Sequence, residues 1–291
     1  MQEAEHFLSA QNKLGEGAVW CPAEQALYWV DIHRHSFQRL HTVNKACEVF
    51  EVDEPIGVLA LRAAGGLIMA TAHGFATWDF ATCQFTYLVH PEADQPHKRF
   101  NDGAVDCKGR FWAGTMSETV TERAEGVLYR FDPDGSLHVM DTGIWLPNGL
   151  GWSPDTTLMY ATDSLAKTIY VYDFDAVSGE IANRRPFIAT PDELGVPDGL
   201  TIDDEGFLWS ARWNGWKITR YDPAGKVERE IRVPVSHPTS CAFGGPNRDE
   251  LFITTAWTAL SAQERQNQPQ AGDLFHIQTT ITGPARPSFL G

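Results

Sequence analysis

The sequence predicts an all-β fold: a six-bladed β-propeller with four antiparallel strands per blade, built from residues 1–291 as one domain. Three observations carry this. One phrase recurs along the chain, an oxygen-bearing side chain followed by a small residue and an apolar strand. It stands at Leu14-Gly15-Glu16-Gly17, Arg99-Phe100-Asn101-Asp102-Gly103, Pro147-Asn148-Gly149 and Pro197-Asp198-Gly199. Aligning Glu16, Gly57, Asn101, Asn148, Asp198 and Thr239 gives steps of 41, 44, 47, 50 and 41 residues, the period of a four-stranded blade. Helical periodicity is nearly absent, with Ala259–Gln266 the one candidate helix. Two stacked β-sandwich domains are the competing architecture, but sandwiches do not require this repeat.

The elements follow in order. Gly17–Cys21, Ala26–Asp31, Ser36–Thr42 and Cys47–Val52 read as the first four strands, separated by turn-sized gaps. Val58–Leu61, Leu67–Thr71, Phe75–Asp79 and Phe85–Val89 form the second block, with a hairpin turn at Gly65-Gly66. The third begins at Gly103 and adds Val127–Asp132 and Leu137–Asp141 around the turn Asp132-Pro133-Asp134-Gly135. Blocks from Gly149 to Ile188 and from Gly199 to Val233 follow. The last runs from Pro238 to about Ile277 and shows only three strands, so Glu3–Ser9 is expected to supply the fourth and close the ring.

Composition bounds the function. A net charge of −15 argues against nucleic acid, whose phosphates need a basic surface, and suits either a cation site or an acidic solvated face. The five cysteines are odd in number and include no Cys-x-x-Cys pair, so buried free thiols are expected rather than disulfides or thiolate zinc. The N-terminus lacks a basic and apolar leader, and no apolar run reaches the ~18 residues of a membrane span. A cytoplasmic protein without a membrane partner is expected, and a monomer suffices.

In a propeller the first strand of each blade lines the axis, and the residues just before it gather at one mouth. Glu16, Asn101, Asn148 and Asp198 are therefore expected to converge, with Gly57 and Thr239 completing the ring. The loops holding His33, His73, 117–123, 164–167, 213–216 and 257–272 return to that mouth. Oxygen donors without Cys or His at the ring suit a hard or borderline divalent cation. Trp213 and Trp216 either contact substrate or pack in the core. His33 and His73 either face the pocket or are solvated, and 257–272 is a partial lid or a disordered insertion. No GxSxG, GxGxxG or P-loop occurs.

The set just quoted, with Gly114-Thr115-Met116, Asn148-Gly149-Leu150 and Cys241-Ala242-Phe243-Gly244-Gly245, resembles the gluconolactonase/regucalcin (senescence marker protein) family over nearly the whole chain. The resemblance implies a six-bladed propeller holding one divalent metal (Ca²⁺, Zn²⁺, Mn²⁺, Mg²⁺ or Fe²⁺). It implies a sugar lactonase that opens a pentono- or hexonolactone, such as a glucono-, arabinono-, xylono- or galactonolactone, to the aldonic acid. It implies metal ligation by Glu16, Asn148 and Asp198, and substrate contacts from Arg99 and Asn101. Some members carry paired glutamates after Gly-Thr-Met, the second touching substrate. Ser117-Glu118-Thr119 keeps only the first, so Glu118 is expected at the substrate while substrate identity does not carry over.

A lactone carbonyl attacked by water develops negative charge on its oxygen, which a cation can stabilise. A neighbouring carboxylate can take the water's proton, and Asp198 is the catalytic candidate. Asp102 either orients Asn101 or Arg99 from behind or is a plain Asp-Gly turn residue. A phosphotriesterase-like hydrolase on the same scaffold and a non-catalytic calcium-binding or interaction propeller are the competing functions.

Overall fold

The computed structural model describes residues 2–119 and 121–291; Val120, inside the expected 117–123 loop, and Met1 lie outside the described residues. Two compact units divide the chain, residues 1–53 with 190–285 and residues 54–189 with 286–291. The first unit holds three antiparallel sheets. One is Gly15–Cys21, Ala26–Asp31, Ser36–His41 and Ala46–Glu51, and another is Val196–Ile202, Leu208–Trp213, Lys217–Tyr221 and Val227–Arg232. The last joins Pro238–Gly244, Glu250–Thr255 and Leu274–Gln278 to Glu5–Leu8, which pairs antiparallel with Leu274–Gln278. The second unit holds sheets beginning at Ile56–Leu61, Lys98–Val105 and Pro147–Trp152, each four-stranded and antiparallel in chain order. These are the six blades of a β-propeller, and the N-terminal strand completes the sixth.

Burial falls across every sheet. Gly15–Cys21 and Lys98–Val105 are buried at every position, whereas the fourth strands Ala46–Glu51 and Gln84–Val89 are almost wholly exposed or half-buried. First strands are therefore buried along their length, polar positions such as Glu16, Arg99 and Asn101 included, while outer strands tolerate charge. Apolar side chains fill the space between sheets: in the second unit Phe75 stacks on Phe131 and meets Phe100 and Phe111 edge-on or tilted. The segment 286–291 packs Phe289 onto Phe131 and bonds the Leu61–Gly66 turn, with Phe289 N–H to Leu61 O at 2.8 Å.

Several expectations are corrected. The ring residues lie inside the first strands, not before them: five of these strands start two to five residues earlier than apolarity alone suggests, and the sixth starts at Pro238 as expected. The closing strand is shorter, Glu5–Leu8, and Gln2–Glu3 instead pairs parallel with Val227–Arg232 of the fifth sheet. Only Cys21 and Cys241 are buried; Cys47, Cys83 and Cys107 are exposed, since they fall on an outer strand and at turns. The candidate helix forms as Ala262–Asn267, capped by Ser261 and Glu264 in a reciprocal capping box. The segment 257–272 around it is fastened: Trp257 donates to Gln11 O at 3.2 Å, and Gln268 Oε1 accepts the Ser236 N–H at 2.7 Å. Among the described residues no helix is long and apolar enough to cross a membrane.

Candidate active site

The repeated phrase is a β-bulge. Each first strand slips register at its ring position: between Glu16 and Val19, Ile56 and Val58, Phe100 and Asp102, Asn148 and Leu150, Pro197 and Leu200, and Pro238 and Ser240. An extra residue in one strand of a pair bends it and re-aims a side chain. In the first sheet the glycine after the donor takes up the kink. Gly17 sits there at φ 59°. Gly57 carries no donor for a steric reason, because a Cβ there would lie 2.4 Å from Phe100 O.

In the second unit four of the expected site residues form one hydrogen-bonded chain. Glu118 Oε1 accepts from Arg99 Nε at 3.1 Å, and Arg99 Nη1 donates to Asn101 Oδ1 at 2.8 Å. Asn101 Nδ2 donates to Pro147 O at 2.9 Å and to Asn148 Oδ1 at 3.0 Å. Asn148 Nδ2 donates to Ser164 Oγ at 2.8 Å. The polarity of this chain is fixed by its ends. A guanidinium can only donate and a carbonyl can only accept, so Asn101 has one allowed amide orientation, and Asn148 then has one as well. Arg99, Asn101 and Asn148 are all buried, whereas the Glu118 side chain is half exposed. Arg99 therefore sets which atom Asn148 presents.

Asp102 does not orient Asn101 or Arg99. Its buried carboxyl accepts the Gly103 N–H at 2.7 Å, and Asn101 is held by Arg99 and Pro147 instead. Nor is Asp102 a turn residue, since it lies within Lys98–Val105. Burial pushes its pKa up to about 6, opposed by the Gly103 N–H and the charge of Arg286.

In the first unit Glu16 and Asp198 are buried at the bulges of their strands, and Glu16 accepts the Gly17 N–H at 3.3 Å. Thr239 donates to Gly15 O at 2.5 Å and pairs with Thr254 at 2.8 Å, so its hydroxyl ties strands together. Trp213 stacks flat on His237, with ring centroids 4.1 Å apart and planes at 5°. His33 and His73 are exposed.

Two residues escaped the sequence reading. Ser164, expected only as a member of a loop, orients the Asn148 amide; nothing in its spacing signals this. His237 stands two residues before the sixth bulge, as Arg99 stands two before the third, and that spacing was legible.

Among the described residues no three His, Cys, Asp or Glu side chains gather as a metal site would require. A cation held here would need amide oxygen as well as carboxylate. The donors fit that demand: an amide oxygen has two lone pairs, and Asn101 takes one of those on Asn148 Oδ1.

The pattern of the SMP-30/Gluconolactonase/LRE-like region matches residues 14–257. Regucalcin of Xenopus laevis is 36% identical over 99% of this chain and 98% of its own length. The crystal structure of a calcium-binding protein, regucalcin, from Agrobacterium tumefaciens superposes with a TM-score of 0.94 at 27% identity, covering 99% of this chain and 98% of that one. A luciferin-regenerating enzyme gives 0.92 at 28% identity, covering 99% of each chain. The chain belongs to the SMP-30/gluconolactonase/LRE-like family.

Proposed function

We propose that this chain is a metal-dependent sugar lactonase that hydrolyses a pentono- or hexonolactone to the aldonic acid, with all 291 residues acting as one domain. The observation that carries the reading is the Arg99–Asn101–Asn148 chain, in which an obligate donor fixes two buried amides so that Asn148 presents oxygen. A buried network of this kind needs a task beyond strand pairing, and family membership supplies the class of task.

In this reading Glu16, Asn148 and Asp198 hold one divalent cation through oxygen atoms. A cation bound by these residues would supply Lewis-acid polarisation of the lactone carbonyl. Water adds to the carbonyl carbon, the ring C–O bond breaks, and the leaving oxygen becomes the product's hydroxyl. Asp198 takes the water's proton at its carboxylate and returns it to the leaving ring oxygen, and Glu16 would serve as a ligand. Arg99, Asn101 and Glu118 hold sugar oxygens: the guanidinium donates, and the Glu118 carboxylate accepts from hydroxyls. Asp102 acts through the backbone of its own bulge.

Ring opening yields a carboxylic acid and releases a proton, so a pH-stat reads it directly. The test is a screen of pentono- and hexonolactones after chelation and reloading with single metals. Chelator-sensitive hydrolysis restored by one or more cations supports the reading. Cation binding without hydrolysis of any lactone would support the second reading, a non-catalytic calcium-binding propeller. The description of the Agrobacterium relative as a calcium-binding protein favours that alternative.

A further inference from the structure

His237 occupies in the sixth sheet the register that Arg99 occupies in the third. Asn101 is the bulge residue between Phe100 and Asp102, Thr239 is the bulge residue between Pro238 and Ser240, and each is preceded two positions earlier by a nitrogen-bearing side chain. Within the first unit His237 lies at the same end of the sheets as Asp198. Its ring stacks on Trp213, and Trp213 pairs with Val196 at the start of the strand that carries Asp198. The strands of Asp198 and Thr239 run close together, since a Cβ on Gly199 would lie 2.6 Å from Ser240 Oγ.

His237 is only 5% exposed, and its Nδ1 has no hydrogen-bond partner among the described residues. The Thr258 backbone bonds the ring, and with Nδ1 unpartnered that bond belongs to Nε2. Burial holds the imidazole below its ordinary pKa, against the Thr258 bond and the charge of Glu264, so the ring is neutral and one nitrogen keeps a lone pair. A buried acceptor without a donor is costly and calls for an explanation. Flat stacking on Trp213 fixes the plane in which that lone pair lies.

We propose that His237 is a substrate-contact residue whose Nδ1 accepts a hydrogen bond from a hydroxyl of the sugar lactone. This rests on the lactonase reading and deepens it, for it adds a hydroxyl acceptor at the end of the first unit's sheets that carries Asp198. Lactones that present a hydroxyl there are favoured over unsubstituted lactones of the same ring size.

The test uses His237→Phe, which keeps a flat ring against Trp213 but removes the acceptor, and His237→Gln, which keeps an acceptor oxygen. Each is assayed on xylono-1,4-lactone and on γ-butyrolactone with metal saturating. The expected result is a fall of about tenfold in kcat/KM for His237→Phe on the xylonolactone, the size of one hydrogen bond, with little change on γ-butyrolactone and partial retention in His237→Gln. Equal losses on both lactones, or no loss on either, overturn the proposal. If the wild type opens no lactone, the lactonase reading fails, and His237 is then read by ¹⁵N-imidazole NMR with glucitol as the probe. A shift of the Nδ1 resonance supports the hydroxyl contact, and an unmoved resonance overturns it.

Discussion

Asp102 lies beside the bulge within one strand of the third sheet and Asp106 just beyond that strand's end, both buried, and their hydrogen bonding differs. Asp106 accepts from Lys108 N–H, Arg110 N–H, Arg110 Nε at 2.6 Å and Trp112 Nε1 at 2.9 Å. Asp102 accepts the Gly103 N–H at 2.7 Å. The fifth sheet repeats the saturated half of this comparison: Asp203 beyond the end of its strand accepts from Trp209 Nε1 at 2.8 Å and Arg220 Nη2 at 2.7 Å. Arg110 also reaches Ala176 O at 3.0 Å, tying the third sheet to the fourth. The lesson is a division of labour along each strand. Polar groups after the strand saturate one another and hold the fold, whereas in the function proposed above those at the bulge serve the substrate and the cation.

The comparison breaks most visibly at Asp198. If the bulge end carries chemistry, Asp198→Asn reduces kcat by about 10²–10⁴, the usual worth of a positioned proton acceptor. Metal affinity falls less, because an amide oxygen still ligates. Near-normal turnover in fully metallated protein would remove Asp198 from proton transfer and leave the cation as sole activator. Asp106→Ala is the next largest effect, with opposite signature. It leaves the buried Arg110 guanidinium without its carboxylate, so denaturant unfolding should show a loss of about 3–5 kcal/mol while the folded fraction keeps its activity.

Asp102 gives a smaller, pH-dependent effect. Its folded pKa is raised from 3.8 to about 6, so the proton is bound more tightly in the folded chain. The stability this provides is full below the unfolded value and is lost as pH rises through about 6. Asp102→Asn removes the cost of an ionised buried carboxylate. At pH 7.5 the variant should melt above the wild type, by an amount on the order of 3 kcal/mol at most, and the gap should close by pH 4. A gap independent of pH would mean that Asp102 does not titrate in this range.

Much of this was legible in the sequence. Alternating apolar residues and turns such as Gly65-Gly66, both at positive φ, placed nearly every strand. The 41–50 residue steps gave the blade count. The bulges were not legible, because a register slip is a property of two strands, and Asn101 slips only relative to Phe100↔Thr115 and Asp102↔Gly114. Polar residues at a fully buried strand start read as loop for the same reason: burial by neighbouring sheets overrides local polarity. The Asp-x-x-Gly-x-x-Trp spacing shared by Asp106–Trp112 and Asp203–Trp209 was present in the sequence. Its meaning depends on which indole N–H each carboxylate receives, and that emerges only in three dimensions.

The division of labour is tested most directly with two matched substitutions, Arg99→Met and Arg110→Met, each removing one buried guanidinium from the third sheet. The measurement pairs kcat/KM on an aldonolactone, metal-reloaded and corrected for folded fraction, with the denaturation midpoint. Arg99→Met should lose about 10–100-fold or more in kcat/KM and in metal affinity, because Asn101 and Asn148 lose their imposed orientation, with a small change in midpoint. Arg110→Met should lower the midpoint strongly and leave kcat/KM intact. Full activity in Arg99→Met, or an activity loss without destabilisation in Arg110→Met, would contradict the account.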